Sequence, residues 1–202
     1  MKAKLFAGIL ILLVSMFGAG LLISVDRDLS QYPTDAEYRT IAHEIGRLDF
    51  RCFDKDGNLV WEELDRENDL ADEGEYLFLD VVLRGGTVAP EYFLRLYNDT
   101  PTETDTLSTL TGEPSTYGYH QQLVEKNNTG WPTLGLDSGD YQATSSTETF
   151  TASGGSWGPV IYCVLATTSG NGGKLVSYTA LSQSRTLASG ESLQVTYKLK
   201  LQ

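Results

Sequence analysis

Three oxygen-bearing side chains at alternate positions are the first feature of the sequence that could bind a metal. Asp54, Asp56 and Asn58 have the spacing of the first ligands of an EF-hand calcium loop. The glycine is at position 57, the fourth place in such a loop instead of the sixth, and the twelfth place holds Asp65 instead of Glu. The segment therefore indicates a turn between strands, and we predict no metal ligands.

Histidine and cysteine are scarce, which limits zinc and nucleophilic chemistry. The chain has no Cys or His beyond Cys52, Cys163, His43 and His120, and the two histidines are far apart in sequence, so we expect no Cys/His zinc site. No flanking motif supports a Ser-His-Asp site around His120. Both cysteines lie in apolar, strand-like stretches, so we expect buried free thiols; a disulfide stays open if their strands are neighbours.

Enzyme motifs are missing from the sequence as well. It contains no Gly-x-Ser-x-Gly elbow, P-loop, His-Glu-x-x-His or dinucleotide-binding fingerprint. The acid pairs Glu62-Glu63 and Asp72-Glu73 fit solvated ends of a strand and a helix better than the carboxylate pair of a glycosidase. We therefore predict a protein that is not an enzyme, with no catalytic residues and no cofactor.

Aromatic residues offer one further route to a binding surface. The three tryptophans and several tyrosines could line a carbohydrate platform, although core packing explains such residues more often. They are Trp61, Trp131, Trp157, Tyr92, Tyr97, Tyr117, Tyr119 and Tyr141. The formal net charge of −12 argues against binding a nucleic-acid backbone, which needs clustered Lys and Arg.

Residues 5 to 25 carry no charge and follow Lys2 and Lys4. The stretch is long enough to span a bilayer, so we predict an N-terminal membrane anchor that leaves the rest of the chain outside the cytoplasm. A cleaved signal segment and a start codon placed too early are the alternatives. Residues 26 to 46 are polar and predict a linker with a short helix near residues 35 to 45.

The stretch Thr147 to Thr168 organises the remaining chain. It predicts two strands joined by a Gly-rich corner at Ser153 to Ser156. The second strand, Val160 to Leu165, is apolar on both faces, as a central strand should be. A hairpin is predicted earlier in the chain, where alternating residues on either side of Gly57 flank an Asp-Gly turn.

One helix and a clean final strand complete the pattern. Asn68 to Leu83 predicts a helix that is capped by Asn68 or Asp69 and ended by Gly85. From Leu193 to Leu201 apolar residues alternate with polar ones, and lysines on the polar face favour an edge strand. We predict a mostly β domain over residues 47–202, an antiparallel sandwich of the jelly-roll or immunoglobulin-like kind with one packed helix, behind an N-terminal hydrophobic helix.

From about Leu48 onward, an ordered set of motifs resembles a family of small structural or accessory proteins of tailed bacteriophages and prophages. The motifs are FDKDGNLVWEE, NDLADEGEYLFLDVVLRGG, APEYFLRLYNDTP, DTLSTLTGEP, GYHQQLVE, TETFTASGGSWGPVIYCVLATT and SGESLQVTYKLKL. The resemblance implies a virion decoration, head or tail accessory protein that packs against copies of itself or against capsid or tail proteins. It implies no catalytic residues.

The hydrophobic stretch of residues 5 to 25 is not part of that pattern. It keeps open a second interpretation, a membrane-anchored domain outside the cytoplasm that recognises a glycan or a host protein. The sequence does not fix strand order, oligomeric state or binding partner.

Overall fold

The computed structural model describes residues 44–200, which form nine strands and one α-helix. The helix, α1, spans Asp72–Leu79 and continues into a π-helical turn at Asp80–Arg84. The strands are β1 (Glu44–Phe53), β2 (Leu59–Leu70), β3 (Glu91–Tyr97), β4 (Gln122–Glu125), β5 (Thr133–Asp137), β6 (Asp140–Thr151), β7 (Trp157–Ala166), β8 (Leu175–Leu187) and β9 (Ser192–Lys200).

Several predictions made for the N-terminal part lie outside the described residues. These are the anchor at residues 5–25, almost all of the 26–46 linker, and His43. Since β1 already begins at Glu44, the end of the predicted short helix at Ile45 is strand instead. Within residues 44–200, no helix has both the length and the apolar character needed to cross a membrane.

All nine strands belong to one antiparallel sheet with the order β4-β3-β7-β8-β2-β1-β9-β6-β5. The sheet curls, because apolar side chains from both halves share one buried cluster. Leu96 and Cys163 enter this cluster from one half, and Phe50, Phe150 and Val195 enter it from the other. The mostly β, antiparallel class is confirmed, with a single curled sheet as its form.

The predicted central strand is confirmed in β7, which lies between β3 and β8. The Gly-rich corner before it joins β6 to β7, which are not neighbours in the sheet. The chain therefore crosses here from one half of the sheet to the other. Trp157 opens β7, is almost fully buried, and makes an edge-to-face contact with Tyr119 at 5.4 Å between ring centroids.

The hairpin prediction is also confirmed. β1 pairs with β2 across the turn after Phe53, and Gly57 there has a φ of 83°. Cys52 in β1 and Cys163 in β7 are both buried free thiols, as expected, since their strands are separated in the sheet. Burial raises the pKa of Cys52 to about 11, and it raises the pKa of Cys163 still further.

The helix exists, but its predicted start and caps were wrong. Asn68 and Asp69 belong to β2, and the N-cap is Ala71, which has no side-chain cap. The Asn68 side chain is buried, donates to the Tyr197 hydroxyl at 2.5 Å and accepts from the Thr179 hydroxyl at 2.9 Å. Asn68 is thus of a residue type that often caps helices, but here it serves as a buried hydrogen-bond partner. The predicted end is confirmed, since Gly85 is left-handed with φ 69°.

The edge position predicted for the last strand was wrong. β9 lies between β1 and β6, inside the sheet. Its alternation is confirmed, since Leu193, Val195 and Tyr197 are buried. Lys198 and Lys200 belong to its outer face, where Lys198 pairs with aspartates of β1 and β2, and Lys200 pairs with an aspartate of β5. The lysines therefore indicate the solvated face of an antiparallel sheet and not an edge, because an interior strand also has one solvated face.

Candidate interaction surface

The calcium-like segment is a self-contained turn. Asp54 accepts hydrogen bonds from the backbone N–H of Asp56 (2.8 Å) and of Asn58 (2.9 Å), and from the Asn58 side chain (2.9 Å). The bonds from Asn58 are the main cause that lowers the pKa of Asp54 below its ordinary value. The Asp54 carboxylate therefore serves the turn of the β1–β2 hairpin.

The aromatic residues divide into core and surface sets. Trp157, Tyr97 and Tyr119 are buried, while Tyr117 and Tyr141 are exposed. The remaining ones are half-buried; Trp131 packs edge-to-face on Tyr197 at 5.9 Å, and Trp61 lies under the guanidinium of Arg185 at 4.2 Å. The structure does not bring the aromatic residues together as one exposed platform. His120 is exposed and lies in the loop before β4.

Around β3, a buried arginine holds two loops against the sheet. Arg95 is only 1% exposed and makes a bidentate ion pair with Glu113, with nitrogen–oxygen distances of 3.0 and 2.6 Å. It also donates to the Gly170 carbonyl (2.8 Å) and the Asn171 side chain (2.9 Å) in the β7–β8 loop. Burial opposes the charge of Arg95, but the Glu113 contacts outweigh it and raise the arginine's pKa.

Tyr119 extends this network to the backbone of β3. Its hydroxyl accepts from the Leu96 N–H at 2.9 Å and donates to Glu113 at 2.9 Å. The Thr-rich loop that lies between these residues is ordered by Asp99, which accepts from the backbone and the hydroxyl of Thr111 at 2.7 and 3.0 Å. We call this region, β3 with β4 and residues 98–121, the closed end of the sheet.

β4, the edge strand of the closed end, is short and partly covered. It has four residues, and Val124 in it is fully buried. The following loop folds back, since Asn127 N–H bonds the Glu125 carbonyl at 2.9 Å. The same loop reaches the other half of the sheet, where Ser146 N–H bonds the Gly130 carbonyl at 2.9 Å. The backbone of Glu125, at the end of the β4 edge, is therefore covered by this loop.

β5, the other edge strand, is open. It pairs with β6 through the two-residue turn Ser138-Gly139, whose φ values are 52° and 102°. Neither Lys, Pro nor a register shift occurs in Thr133–Asp137, so the features that protect this edge are its short length and the charge of Asp137 at its end. Since Asp137 and Asp140 flank the tight turn as a hydrogen-bonded pair, the backbone groups of Leu134 and Leu136 point away from β6.

The leucines of β5 also continue the core face of the sheet. Leu134 is opposite Ala143, and Ala143 is opposite Leu199, which packs against the main core. Residues opposite each other project from the same face, so Leu134 and Leu136 extend the core face beyond its covered part. They are 74% and 68% exposed. We call β5, with the start of β6, the open end of the sheet.

On the outer face near the open end lies a polar pocket of about 510 Å³. Lys198 binds Asp49 (2.9 Å) and Asp65 (2.7 Å), and Lys200 binds Asp137 at 3.3 Å. The hydrogen bond from Lys198 lowers the pKa of Asp65. The residues that line the pocket are Gly46, Arg47, Asp65, Asp137, Gln142, Lys198 and Lys200. The pocket offers hydrogen-bonding groups of both charges and no aromatic surface for stacking.

A second exposed apolar surface lies on the π-helical turn. Val82 and Leu83 are 74% and 73% exposed, close to the values for the β5 leucines. They lie outside the sheet and offer no unpaired strand. This turn is therefore a control for the open end, with apolar side chains of similar exposure but no unpaired strand.

One known family matches most of this domain. The family model Podophage GP4 fiber I protein gp80 matches residues 70–200, from the end of β2 through β9. A search of the curated proteins found no match. The chain belongs to a class of bacteriophage structural proteins, which confirms the resemblance seen in its motifs. Within that class, it is a member of the Podophage GP4 fiber I protein gp80 family.

Sequence reasoning missed β5 and the closed-end network. Gly135 in the middle of Thr133–Asp137 resembles a turn residue, which concealed a strand of only five residues. The alternation of Leu134 and Leu136 ahead of Ser138-Gly139 was the signal that could have revealed it. Arg95 carried no signal, because its partners lie 18 and 75 residues away.

Proposed function

We propose that this chain is a non-enzymatic component of the virion that acts by packing against other virion proteins. The family match carries the proposal, because it spans the helix and the strands from β3 to β9. The partners would be copies of the chain itself or capsid and tail proteins, within a decoration, head or tail accessory role. The β-domain, predicted at 47–202, is the part that packs.

The finer architecture belongs to the same proposal. β2 and β8 are paired only at Asp69–Tyr178 and Leu70–Ser177, so the nine-stranded sheet has a narrow junction near its middle. The halves on either side contribute to one core. A two-layer sandwich of the jelly-roll or immunoglobulin-like kind follows if the junction acts as a fold line.

Particle composition tests this function. Phage particles from producing cells are purified on a density gradient and analysed by mass spectrometry for peptides of residues 44–200. We expect the chain to co-purify with particles at a fixed ratio to the major capsid protein. Its presence in the membrane fraction alone, with none in particles, would overturn the virion assignment.

The polar pocket near Lys198 supports a second candidate, recognition of a glycan. Paired aspartates and lysines beside Gln142 present donors and acceptors that suit sugar hydroxyls. In a glycan array, binding that is lost in Gln142→Ala would support this candidate. Trp157, one of the aromatic residues that the sequence offered for a carbohydrate platform, is unsuitable for such a test because it is 3% exposed and its loss would damage the core.

A further inference from the structure

The β7–β8 loop contains an Asn-Gly pair, Asn171 and Gly172, and this dipeptide occurs once in the chain. Both residues are exposed and lie in a turn. In such a pair the backbone nitrogen of the glycine can attack the side-chain carbonyl carbon of the asparagine, because glycine has no Cβ to hinder the approach. The pair is therefore chemically reactive, and its surroundings decide how fast it reacts.

The buried arginine of the closed end holds the Asn171 amide in one orientation. Arg95 donates to Oδ1 of Asn171 at 2.9 Å and to the neighbouring Gly170 carbonyl at 2.8 Å. Since Arg95 is only 1% exposed, water screens its charge poorly. A hydrogen bond from a cation to the amide oxygen polarises the C=O bond and makes its carbon a better electrophile.

The attacking and leaving nitrogens are both unengaged. Within residues 44–200, neither the Gly172 N–H nor the side-chain nitrogen of Asn171 donates a hydrogen bond. A Cβ placed on Gly172 would meet no atom within 4 Å, so its backbone has room to turn toward the asparagine. Because Asn171 is exposed, ammonia released from it passes directly into solvent.

We propose that Asn171 is a self-modification site that becomes aspartate or isoaspartate, with Arg95 as the donor to the reacting amide oxygen. The Gly172 nitrogen gives its proton to hydroxide and forms a bond to Cγ of Asn171. Negative charge develops on Oδ1, which faces Arg95; the amide nitrogen then takes a proton from water, and its bond to Cγ breaks to release ammonia. Water opens the resulting cyclic imide at either carbonyl, which gives the two products.

The aspartate product fits the site at least as well as the asparagine. A carboxylate at position 171 would accept from Arg95 more strongly than the neutral amide does. The guanidinium would then bridge two carboxylates, Glu113 of the loop 98–121 and the new one of the β7–β8 loop. The modification would tie these two loops together, and it does not depend on the proposed function.

Incubation of the purified full chain at neutral pH, followed by peptide mapping with mass spectrometry, tests the inference. We expect an amide-to-acid mass change at Asn171 that forms at least about tenfold faster in the folded chain than in the same chain unfolded in guanidinium chloride at the same pH. The unfolded chain keeps the Asn-Gly pair but loses the contact with Arg95. Asn128, which is exposed and precedes Thr129, is the internal control and should remain unmodified over the same time.

Two alanine variants of the loop test the attacking nitrogen. Gly172→Ala places a methyl group beside this nitrogen without a clash, so the fold is retained and the rate should fall at least about tenfold. Gly170→Ala is the matched control, because its Cβ would lie 3.9 Å from Oγ1 of Thr168 and it does not follow an asparagine. Its rate should equal that of the unchanged chain.

A third variant tests the donor. Arg95→Met removes the hydrogen bond to Oδ1, so its folded form should react no faster than the unfolded chain. If this variant does not fold, the ratio of the folded to the unfolded rate in the unchanged chain decides alone.

Equal rates in the folded and unfolded chain, or a slower reaction in the folded one, would overturn the inference. So would a Gly172→Ala variant that reacts as fast as the unchanged chain. Aspartate formed without any isoaspartate would indicate direct hydrolysis of the amide and would exclude the cyclic imide.

Discussion

The two ends of the curled sheet solve the edge-strand problem in opposite ways. At the closed end, the turn after β4 folds back on its strand. Arg95 holds Glu113 of the loop 98–121 and Gly170 of the β7–β8 loop with buried charge-assisted hydrogen bonds. At the open end, β5 keeps free backbone groups and exposed leucines. The closed end therefore depends on buried polar pairing for stability, while the open end can tolerate substitutions without loss of the fold.

The largest difference should follow removal of the buried arginine at the closed end. Arg95→Met leaves Glu113 without its ion-pair partner, so we expect a loss of about 3–5 kcal/mol in the free energy of unfolding. Lys200→Met near the open end breaks a more solvated pair and should cost about 1 kcal/mol or less. Urea denaturation of both variants checks this, and equal losses would contradict the contrast between the ends.

Two buried tyrosines, one in the closed end and one in β9, give a sharper comparison. Tyr197 is hydrogen-bonded to Asn68 and Ser177, so Tyr197→Phe leaves these partners without their hydrogen bonds. We expect it to lower the free energy of unfolding by about 1–3 kcal/mol. Tyr97 is the one residue within 44–200 whose buried side-chain oxygen lacks a hydrogen-bond partner. Tyr97→Phe should therefore be neutral or stabilise by up to about 1 kcal/mol. Thermal denaturation of the two variants tests this comparison. A destabilised Tyr97→Phe would indicate that the Tyr97 hydroxyl has a hydrogen-bond partner after all.

Acid should loosen the loop of the closed end. Hydrogen bonds from Thr111 hold the pKa of Asp99 below its ordinary value, and those from Thr102 do the same for Asp105. Because both pKa values are depressed on folding, the stabilisation is present above the unfolded value of about 3.9 and is lost as pH falls through the folded pKa. The hydrogen-exchange protection of residues 98–112, measured relative to the intrinsic exchange rate at each pH, should fall below about pH 4, and Asp99→Asn should flatten that dependence.

The smallest effect on stability should come from the open end. Leu134→Lys replaces a side chain that is 74% exposed, so we expect a change within about 0.5 kcal/mol in the free energy of unfolding. The measurement is made at a concentration where the chain is monomeric. A loss of several kcal/mol would mean that Leu134 is part of the folded core and not of a free surface.

Prediction from sequence succeeded where the signal was local. Gly57 and Gly85 end their elements as predicted, because the ability to adopt a positive φ comes from glycine itself, which has no Cβ. Val160 to Leu165 was found as a central strand because an unbroken apolar run requires burial on both faces. Prediction failed for Asn68, whose type favours a cap while its partners Thr179 and Tyr197 lie over a hundred residues away.

The sequence by itself determined the mostly antiparallel β class, the hairpin turns, the C-terminal end of the helix and the buried free cysteines. Periodicity, glycine positions and apolar runs act within a few residues, so they can be interpreted without knowing the neighbours of a strand. Only the tertiary structure decided the strand order, which placed the lysine-bearing β9 inside the sheet and left β5 at its edge. That order depends on which apolar faces can share one core, and such long-range packing is invisible in any short stretch of the chain.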